Sequence, residues 1–463
     1  SSEKAPMLWC LGAVVTFHLA SANKWLAAKM IGFFFCMIQA SQHGCGRKNF
    51  YRGILMGVLI YGWQLRFFLN IFGGAAVVLW LVLAFWLGLF MALASHYQRR
   101  RSVPLQILLL VCSWMALEYA RGELYYLRFT WATPGMAFST SPVMSWIGCL
   151  GVYGLSAGCL LIASLSLLFK PAKGVVWTMG TTLTAGVLVI AASNQQTSPT
   201  DATDTVQIGG LHLEDPGSPA SIEVLDAFMN LHPHTELIVL AEYSFLGEPP
   251  KPLRDWCHKH GVHLVAGGTQ PLPGDTYCNT AFVISPDGDI IHKQVKSVPI
   301  QFFNDGLPAE EQDIWQSPWG PVGICICYDL SYTRVVDGLI RKGASMILVP
   351  TLDELHWGAS QHQLHARIAP MRSTEYGVPI VRVGACGISQ AVDSEGIIRA
   401  STEFPGKEGT IQASIAPSDH VSLPLDRYLV WIAFLAVSLD LLAMGFARWN
   451  DRPAIPKPSA RIE

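Results

Sequence analysis

Three side chains in the second half of this sequence could together form and break a bond at a carbonyl carbon: Glu242, Lys293 and Cys327. Glu242 closes the apolar run Leu237-Ile238-Val239-Leu240-Ala241. Lys293 closes Asp289-Ile290-Ile291-His292, and Cys327 closes Val322-Gly323-Ile324-Cys325-Ile326. A thiolate is the strongest nucleophile among protein side chains. A carboxylate within reach can take its proton. A fixed ammonium can lower the thiol pKa and face the oxyanion that develops on the carbonyl. Taken singly, each residue has a plainer reading: a strand cysteine is commonly a small buried hydrophobe, and a Glu or Lys at a strand end is commonly solvated. Cys325 shares a strand face with Cys327 by the period of two and reads as core. His356, His362 and His365 lack the acid-rich surroundings of a zinc site and read as solvated or substrate-lining. Gly267-Gly268 has no phosphate-loop context and reads as a turn. Neither a metal nor a cofactor is expected.

The elements that must position these residues alternate. Strands are predicted at 205–209, 236–241, 262–266, 279–284, 289–293, 322–328, 344–350, 380–384, around 393–396, and 410–415. Helices are predicted at 221–230, 253–260, 332–342 and 362–375. Strand–helix repetition argues for an α/β domain, and the Pro286-Asp287-Gly288 turn marks a hairpin, so the sheet is mixed. Ligands in open α/β sheets sit beyond the strand C-termini, which is where Glu242, Lys293 and Cys327 fall.

The rest of the chain has a different character. Of 463 residues, 51% are hydrophobic and 14% charged, against about 25% charged in an ordinary soluble chain. The deficit lies before residue 193 and in one late run. A membrane span needs about 20 apolar residues. Eight candidates follow: 6–21, 25–40, 54–72, 75–94, 105–120, 144–169, 175–192 and 428–446. Basic clusters at 47–52, 99–101 and 170–173, and after 447, then share one side, which the positive-inside rule makes cytoplasmic. The expected organisation is a seven-helix membrane domain over 1–194, an outer α/β domain over 195–426, a final span over 427–447 and a cytoplasmic tail over 448–463. A net charge of −2 argues against nucleic acid as a partner. Eleven cysteines without a CxxC pair do not make a disulfide scaffold.

With these features assembled, nearly the whole chain resembles the bacterial apolipoprotein N-acyltransferases, membrane-embedded members of the nitrilase (carbon-nitrogen hydrolase) superfamily. In the membrane half the resemblance rests on Leu117-Glu118-Tyr119-Ala120-Arg121-Gly122 and Gly151-Val152-Tyr153-Gly154-Leu155-Ser156. In the outer half it rests on Tyr277-Cys278-Asn279-Thr280, Ile326-Cys327-Tyr328-Asp329 and the late helix with Arg367, Arg372 and Glu375. It implies an α-β-β-α sandwich and a Glu-Lys-Cys triad at Glu242, Lys293 and Cys327, with Tyr328, Asp329 and Trp357 supporting. It further implies a membrane phospholipid as acyl donor and a diacylglyceryl lipoprotein as acceptor, with a thioester between them; a monomer is expected. The sequence departs from the pattern in places. The stretch from Lys293 to Val298-Pro299 is one residue longer than the family's, which leaves Lys296 as a second candidate for the lysine. After Pro299, only Asp305 could stand in for a family glutamate. The family's loop beyond the next strand is matched loosely by Thr351-Leu352-Asp353-Glu354-Leu355-His356-Trp357-Gly358.

One charge inside an expected span remains. Arg66 would lie about 18 Å into the 54–72 helix, and intramembrane charges face cavities or partners. It is expected either to hold a donor phosphate or to pair with Glu118. Two rival functions stand beside acyl transfer: a membrane-tethered amidase acting on a small amide, and a transporter or receptor with an inactive outer domain.

Overall fold

In the computed structural model, residues 4–23, 26–139, 145–193, 205–213, 219–404, 409–419 and 421–450 are described. The expected boundary at 194/195 and most of the expected tail, 451–463, lie outside them.

The apolar half folds as helices α1 (Lys4–Ala22), α2 (Lys29–Ser41), α3 (Gly46–Gln64), α4 (Phe68–Phe72), α5 (Ala76–Arg100), α6 (Val103–Tyr119), α7 (Ser145–Ser164) and α8 (Pro171–Ser193). Among the described residues, five helical stretches are long and apolar enough to cross a membrane: Lys4–Ala22, Phe68–Arg100, Val103–Leu124, Trp146–Leu168 and Asp426–Ala447. Five of the eight expected spans therefore have such a helix among the described residues. The 25–40 candidate is helical over only the 13 residues of α2, about 20 Å of rise. The 54–72 candidate is not one helix: α3 starts earlier, at Gly46, and stops at Gln64, and α4 restarts at Phe68. The 175–192 candidate falls in α8, whose side chains beyond Gly186 are outside the described set. Helices α3 and α5 approach closely through small residues. A Cβ on Gly53 would lie 2.6 Å from the Gly88 Cα, and one on Gly57 2.6 Å from the Ala84 Cα. Such small-residue seams let helices pack where no hydrophobic drive separates protein from lipid.

The second half alternates as expected. It runs β1 (Val206–Leu211), α9 (Pro219–Leu231), β2 (Leu237–Leu240), α10 (Lys251–His260), β3 (His263–Leu272), β4 (Thr276–Ile284), β5 (Ile290–Val295), β6 (Ile314–Ser317) and β7 (Gly320–Ile324). It continues with α11 (Thr333–Arg341), β8 (Met346–Leu352), α12 (Ala359–Ala366), α13 (Ile368–Tyr376), β9 (Ile380–Ala385), β10 (Gln390–Val392), β11 (Ile398–Ser401) and β12 (Thr410–Ile415), then α14 (Asp426–Asn450). Two six-stranded sheets form, in the orders β12-β1-β2-β3-β4-β5 and β11-β10-β9-β8-β7-β6. Each has three parallel strands at its centre and antiparallel strands outside them.

Strand alternation explains the layering. Leu237 and Val239 of β2 join the core between the sheets, with Ile324, Met346 and Val381. Ile238 and Leu240 face the other way, onto Leu225 and Phe228 of α9 and Trp256 of α10. A strand apolar on both faces needs cover on both. The β7–β8–β9 strands receive it from α11 and α13 through Val336, Leu339 and Ala369.

The two halves are joined by buried polar contacts. Helix α7 breaks at Gly151, where φ is +75°. The N–H groups freed there are capped from elsewhere: Val152 donates to Glu375 (3.1 Å) and Tyr153 to Asp426 (3.1 Å). This accounts for the Gly151–Ser156 motif as a helix break stapled to the α/β domain. Trp131 Nε1 donates to Ser331 Oγ (2.9 Å), and the Thr333 N–H donates to Glu123 (3.1 Å).

Candidate active site

Glu242, Cys327 and Asp353 each lie just past a central parallel strand: β2, β7 and β8 respectively. Cys327 opens a tight turn, Cys327–Ser331, with its own φ at +50°. A non-glycine residue held in this region marks local strain that the surroundings must enforce. Here they do so through Asp329. Its carboxylate accepts the N–H of Ile326 (3.2 Å), of Ser297 (3.0 Å) and of Val298 (2.6 Å). One side chain thus ties the cysteine turn to the segment after β5. Burial pushes the Asp329 carboxyl up to about 6, against the pull of Lys296 and of these N–H donors.

That segment carries Lys296. Its Nζ donates to Glu242 Oε1 (2.8 Å) and pairs with Asp305 Oδ2 at 2.7 Å, and all three residues are buried. Glu242 also accepts from Asn279 Nδ2 (2.6 Å) and from the Leu352 N–H (2.8 Å). Asp305 accepts from Tyr243 Oη (2.7 Å), Asn279 Nδ2 (3.0 Å) and the Ile300 N–H (2.8 Å). Burial raises the Glu242 carboxyl above its ordinary value, while Lys296 opposes the rise. Burial works against the Lys296 charge, but Glu242, the Cys327 sulfur and Asp305 outweigh it, and the ammonium stays charged. The Cys327 thiol is pushed well up by burial and by Glu242, with Lys296 pulling the other way. The resting group is a thiol. Gly267 makes room for this arrangement, since a Cβ there would lie 2.5 Å from the Glu242 Cα.

A second network lies near the sulfur. Cys327, Asp353 and His365 present ligand-type atoms all within 4.8 Å of one another. His365 Nδ1 lies 2.7 Å from Asp353 Oδ1, Gln361 Nε2 donates to the same oxygen (2.8 Å), and Arg382 bonds Oδ2. Both Asp353 oxygens are therefore occupied by side chains of the protein itself. The His365 ring stacks on Trp131, centroids 4.8 Å apart.

These observations correct the expected triad. Asp353 and His365 form a cluster with Cys327, and Lys293 is not at the site. Strand β5 runs to Val295, so Lys293 is mid-strand, opposite Phe282. Its side chain is on the outer face, bonded to exposed Glu248 at 2.5 Å. Lys296 follows the true strand end. The missed residues had weak signals. Arg382 is a charge inside the apolar run Ile380-Val381-Arg382-Val383-Gly384, which requires a buried counter-ion. Asp353 follows the apolar strand Met346–Leu352.

The other expected residues are placed as follows. Tyr328 and Trp357 line an apolar cleft of about 740 Å³, with Phe67, Phe68, Phe72 and Phe302. It lies between the α4–α5 region and the α/β domain. Asn70 of α4 donates to the Trp357 carbonyl (3.2 Å). Glu118 is buried in α6, accepting from Trp114 Nε1 (2.9 Å) and Ser156 Oγ (3.1 Å). Arg66 is not its partner. Arg66 sits in the break between α3 and α4, its guanidinium 5.2 Å from the Trp63 ring and donating to the Trp63 carbonyl (3.2 Å). Cys325 is fully buried. His356 and His362 take no part in the cluster around Cys327.

Residues 213–424 match the carbon-nitrogen hydrolase family, and residues 11–165 match the apolipoprotein N-acyltransferase N-terminal domain. The chain joins a nitrilase-superfamily domain to a membrane domain of that N-terminal type. An apolipoprotein N-acyltransferase of Geobacter metallireducens is 23% identical over 434 residues, covering 77% of this chain and 80% of that one. One of Shewanella oneidensis is 24% identical, covering 82% and 83%. An omega-amidase of Danio rerio is 26% identical over 159 residues, 31% of this chain and 57% of its own. Among solved structures, a carbon-nitrogen hydrolase from Helicobacter pylori is 18% identical with a TM-score of 0.41, covering 54% of this chain and 95% of that one. The nitrilase-superfamily domain thus carries Cys327 in a buried, charge-dense site, and several long apolar helices make the chain a multi-pass membrane protein of bacterial type.

Proposed function

We propose that the chain transfers an acyl group from a membrane phospholipid to the α-amino group of a diacylglyceryl-cysteine, through a thioester on Cys327. The observation that carries this reading is the apolar cleft beside Tyr328. Its walls come from both the membrane helices and the α/β domain, and Tyr328, next in the chain to Cys327, is among its lining residues, so an acyl chain held there would lie beside the turn that carries the sulfur. A site for a small soluble amide would have no use for such a wall.

In this reading the Cys327 proton passes to Glu242 as the sulfur attacks the ester carbonyl. Lys296, fixed by Glu242 and Asp305, faces the charge that develops on oxygen, and a lysophospholipid leaves as its oxygen takes that proton from Glu242. The amine then attacks the thioester and the thiol is released. Incubation with a phospholipid followed by mass spectrometry of the intact protein tests this. An acyl adduct on Cys327 that persists in water and discharges to a lipid-linked amine is expected. Prompt hydrolysis without transfer would favour the amidase reading.

The α/β domain is proposed to face the outer side of the cytoplasmic membrane, on the strength of the basic clusters at Arg47–Arg52 and Arg99–Arg101. Cys257 is fully buried and cannot report on this. Leu246, 98% exposed, can: a Leu246→Cys variant should react with an impermeant thiol reagent while the inner membrane is intact. Labelling only after that membrane is broken would reverse the orientation.

A further inference from the structure

We infer that His365, oriented by Asp353, is a catalytic base for the second half of the reaction, taking the proton of the amine that attacks the acyl group on Cys327. The inference rests on the thioester reading above and divides its proton transfers between two groups.

Geometry carries it. His365 is 2% exposed and belongs to the cluster within 4.8 Å of the Cys327 sulfur. Its Nδ1 is engaged by Asp353 at 2.7 Å. Asp353 also takes Arg382 and Gln361, and although burial opposes its charge, His365 and Arg382 hold its carboxyl far below the usual range. Arg382 also lies 3.0 Å from Nδ1, but the ionised carboxylate at 2.7 Å only accepts, and in the tautomer that answers this shorter contact Nδ1 carries the hydrogen and Nε2 the lone pair. Among the described residues no donor or acceptor meets Nε2. Burial lowers the His365 pKa, Asp353 opposing, so the ring is neutral and free to take a proton.

Glu242 is poorly suited to the same task. The thioester would occupy the position from which its first proton came. An incoming ammonium must lose one proton to become a nucleophile and a second as the C–N bond forms. Solvent can take the first. The second passes to His365 Nε2 as the C–N bond forms. The C–S bond then breaks, and the same proton returns from His365 to the leaving thiolate. Thioester and amine become amide and thiol, with His365 unchanged.

Single-turnover measurement of both half-reactions on the full-length protein in detergent tests this, with His365→Gln and His365→Asn. Acyl-enzyme formation, read as the mass of Cys327, should stay within about threefold of wild type. Discharge to a lipid-linked amine should slow by about 100-fold, the lower range of a lost general base, so the adduct accumulates. Hydroxylamine, already unprotonated at neutral pH, skips only the proton that solvent takes, so it should discharge the variant adduct with a comparable slowing, while unimpaired acyl-enzyme formation is what a merely structural defect would not allow. Equal slowing of both half-reactions, unchanged discharge to the lipid amine, or unslowed discharge by hydroxylamine would each overturn the assignment. Should neither variant fold, wild-type protein carries the test. The groups facing the imidazole are Asp353, Arg382, His362 and Cys327. Burial sets this ring below the ordinary imidazole value, so discharge per free amine must fall only as pH drops below about 6.5, and a flat profile there overturns the role. A wild-type protein that forms no adduct at all fails the thioester reading itself, and this inference with it.

Discussion

Two walls meet near the Cys327–Ser331 turn, and they are built on opposite principles. On one side Glu242, Lys296 and Asp305 are sealed from water, and every charge has a charged or hydrogen-bonded partner. On the other, Phe67, Phe68, Phe72, Phe302 and Trp357 present almost no polar surface. The contrast follows from cost. Burying an ion without a partner costs several kcal/mol, so the polar wall is over-determined: each member is fixed by two or more others. An apolar wall has no such requirement and can be assembled from loops and helix ends of different domains. The polar wall should therefore fail sharply when one residue changes, while the apolar wall and its rim should fail gradually.

The largest effect is expected at the sulfur. Cys327→Ser should abolish adduct formation, because an alkoxide is far harder to generate than a thiolate. Cys325→Ser, two residues earlier and fully buried, should keep most activity and lose stability. If both variants formed the adduct equally, Cys327 would not be the nucleophile. Next come the lysines. Lys296→Met should cost roughly two to three decades in single-turnover acylation. It also strands two carboxylates, so a loss of about 3–5 kcal/mol in stability is expected alongside. Lys293→Met, which breaks only an exposed pair with Glu248, should be near neutral by both measures. The reverse ranking would return the role to Lys293. A third test reaches the polar wall from behind. Gly267→Ala should destabilise by about 1–3 kcal/mol and displace Glu242, seen as a lower Tm together with slowed acylation; an unchanged Tm would mean the wall has slack.

How far the sequence reached differs along the same lines. The alternation of strands and helices was legible, because each central strand is apolar on both faces and each helix has one apolar stripe. The strand after residue 313 was missed: Ile314-Trp315-Gln316-Ser317 is too short to show a period. The predicted 362–375 helix divides at Arg367 into α12 and α13, a change of direction that helix-forming residues do not announce. At the site, Cys327 and Glu242 were legible because they follow apolar runs. Lys293 was mistaken for the strand end because its strand continues through Gln294 and Val295, one polar and one apolar, where periodicity cannot say which residue is last. Asp353 and His365 carried signals too weak to join them to Cys327. They belong to different elements, β8 and α12, and only the fold makes them neighbours. In the membrane half, hydropathy averaged over 54–72 hid a helix break, since the residues on both sides of Arg66 are equally apolar.

That break sets the smallest of the expected effects. Because α3 ends at Gln64 and α4 begins at Phe68, Arg66 is not a charge held within a continuous span. It lies exposed, over the Trp63 ring, one residue from Phe67 and two from Phe68, which line the apolar cleft. A guanidinium at the rim of a cleft for acyl chains is well placed to meet a phosphate. Exposure limits what it can contribute: an exposed ion pair is worth about 0.2–1 kcal/mol, or about 1.4- to 5-fold. Arg66→Gln should therefore slow acylation from an anionic or zwitterionic phospholipid by no more than that, and leave discharge to the amine unchanged. The difference should shrink as salt rises toward about 1 M, where the screening length is near 3 Å. A salt-independent loss of tenfold or more would mean that Arg66 works from inside a closed site, and the open rim would have to close over the donor. No change at low salt would leave Arg66 to its Trp63 contact alone.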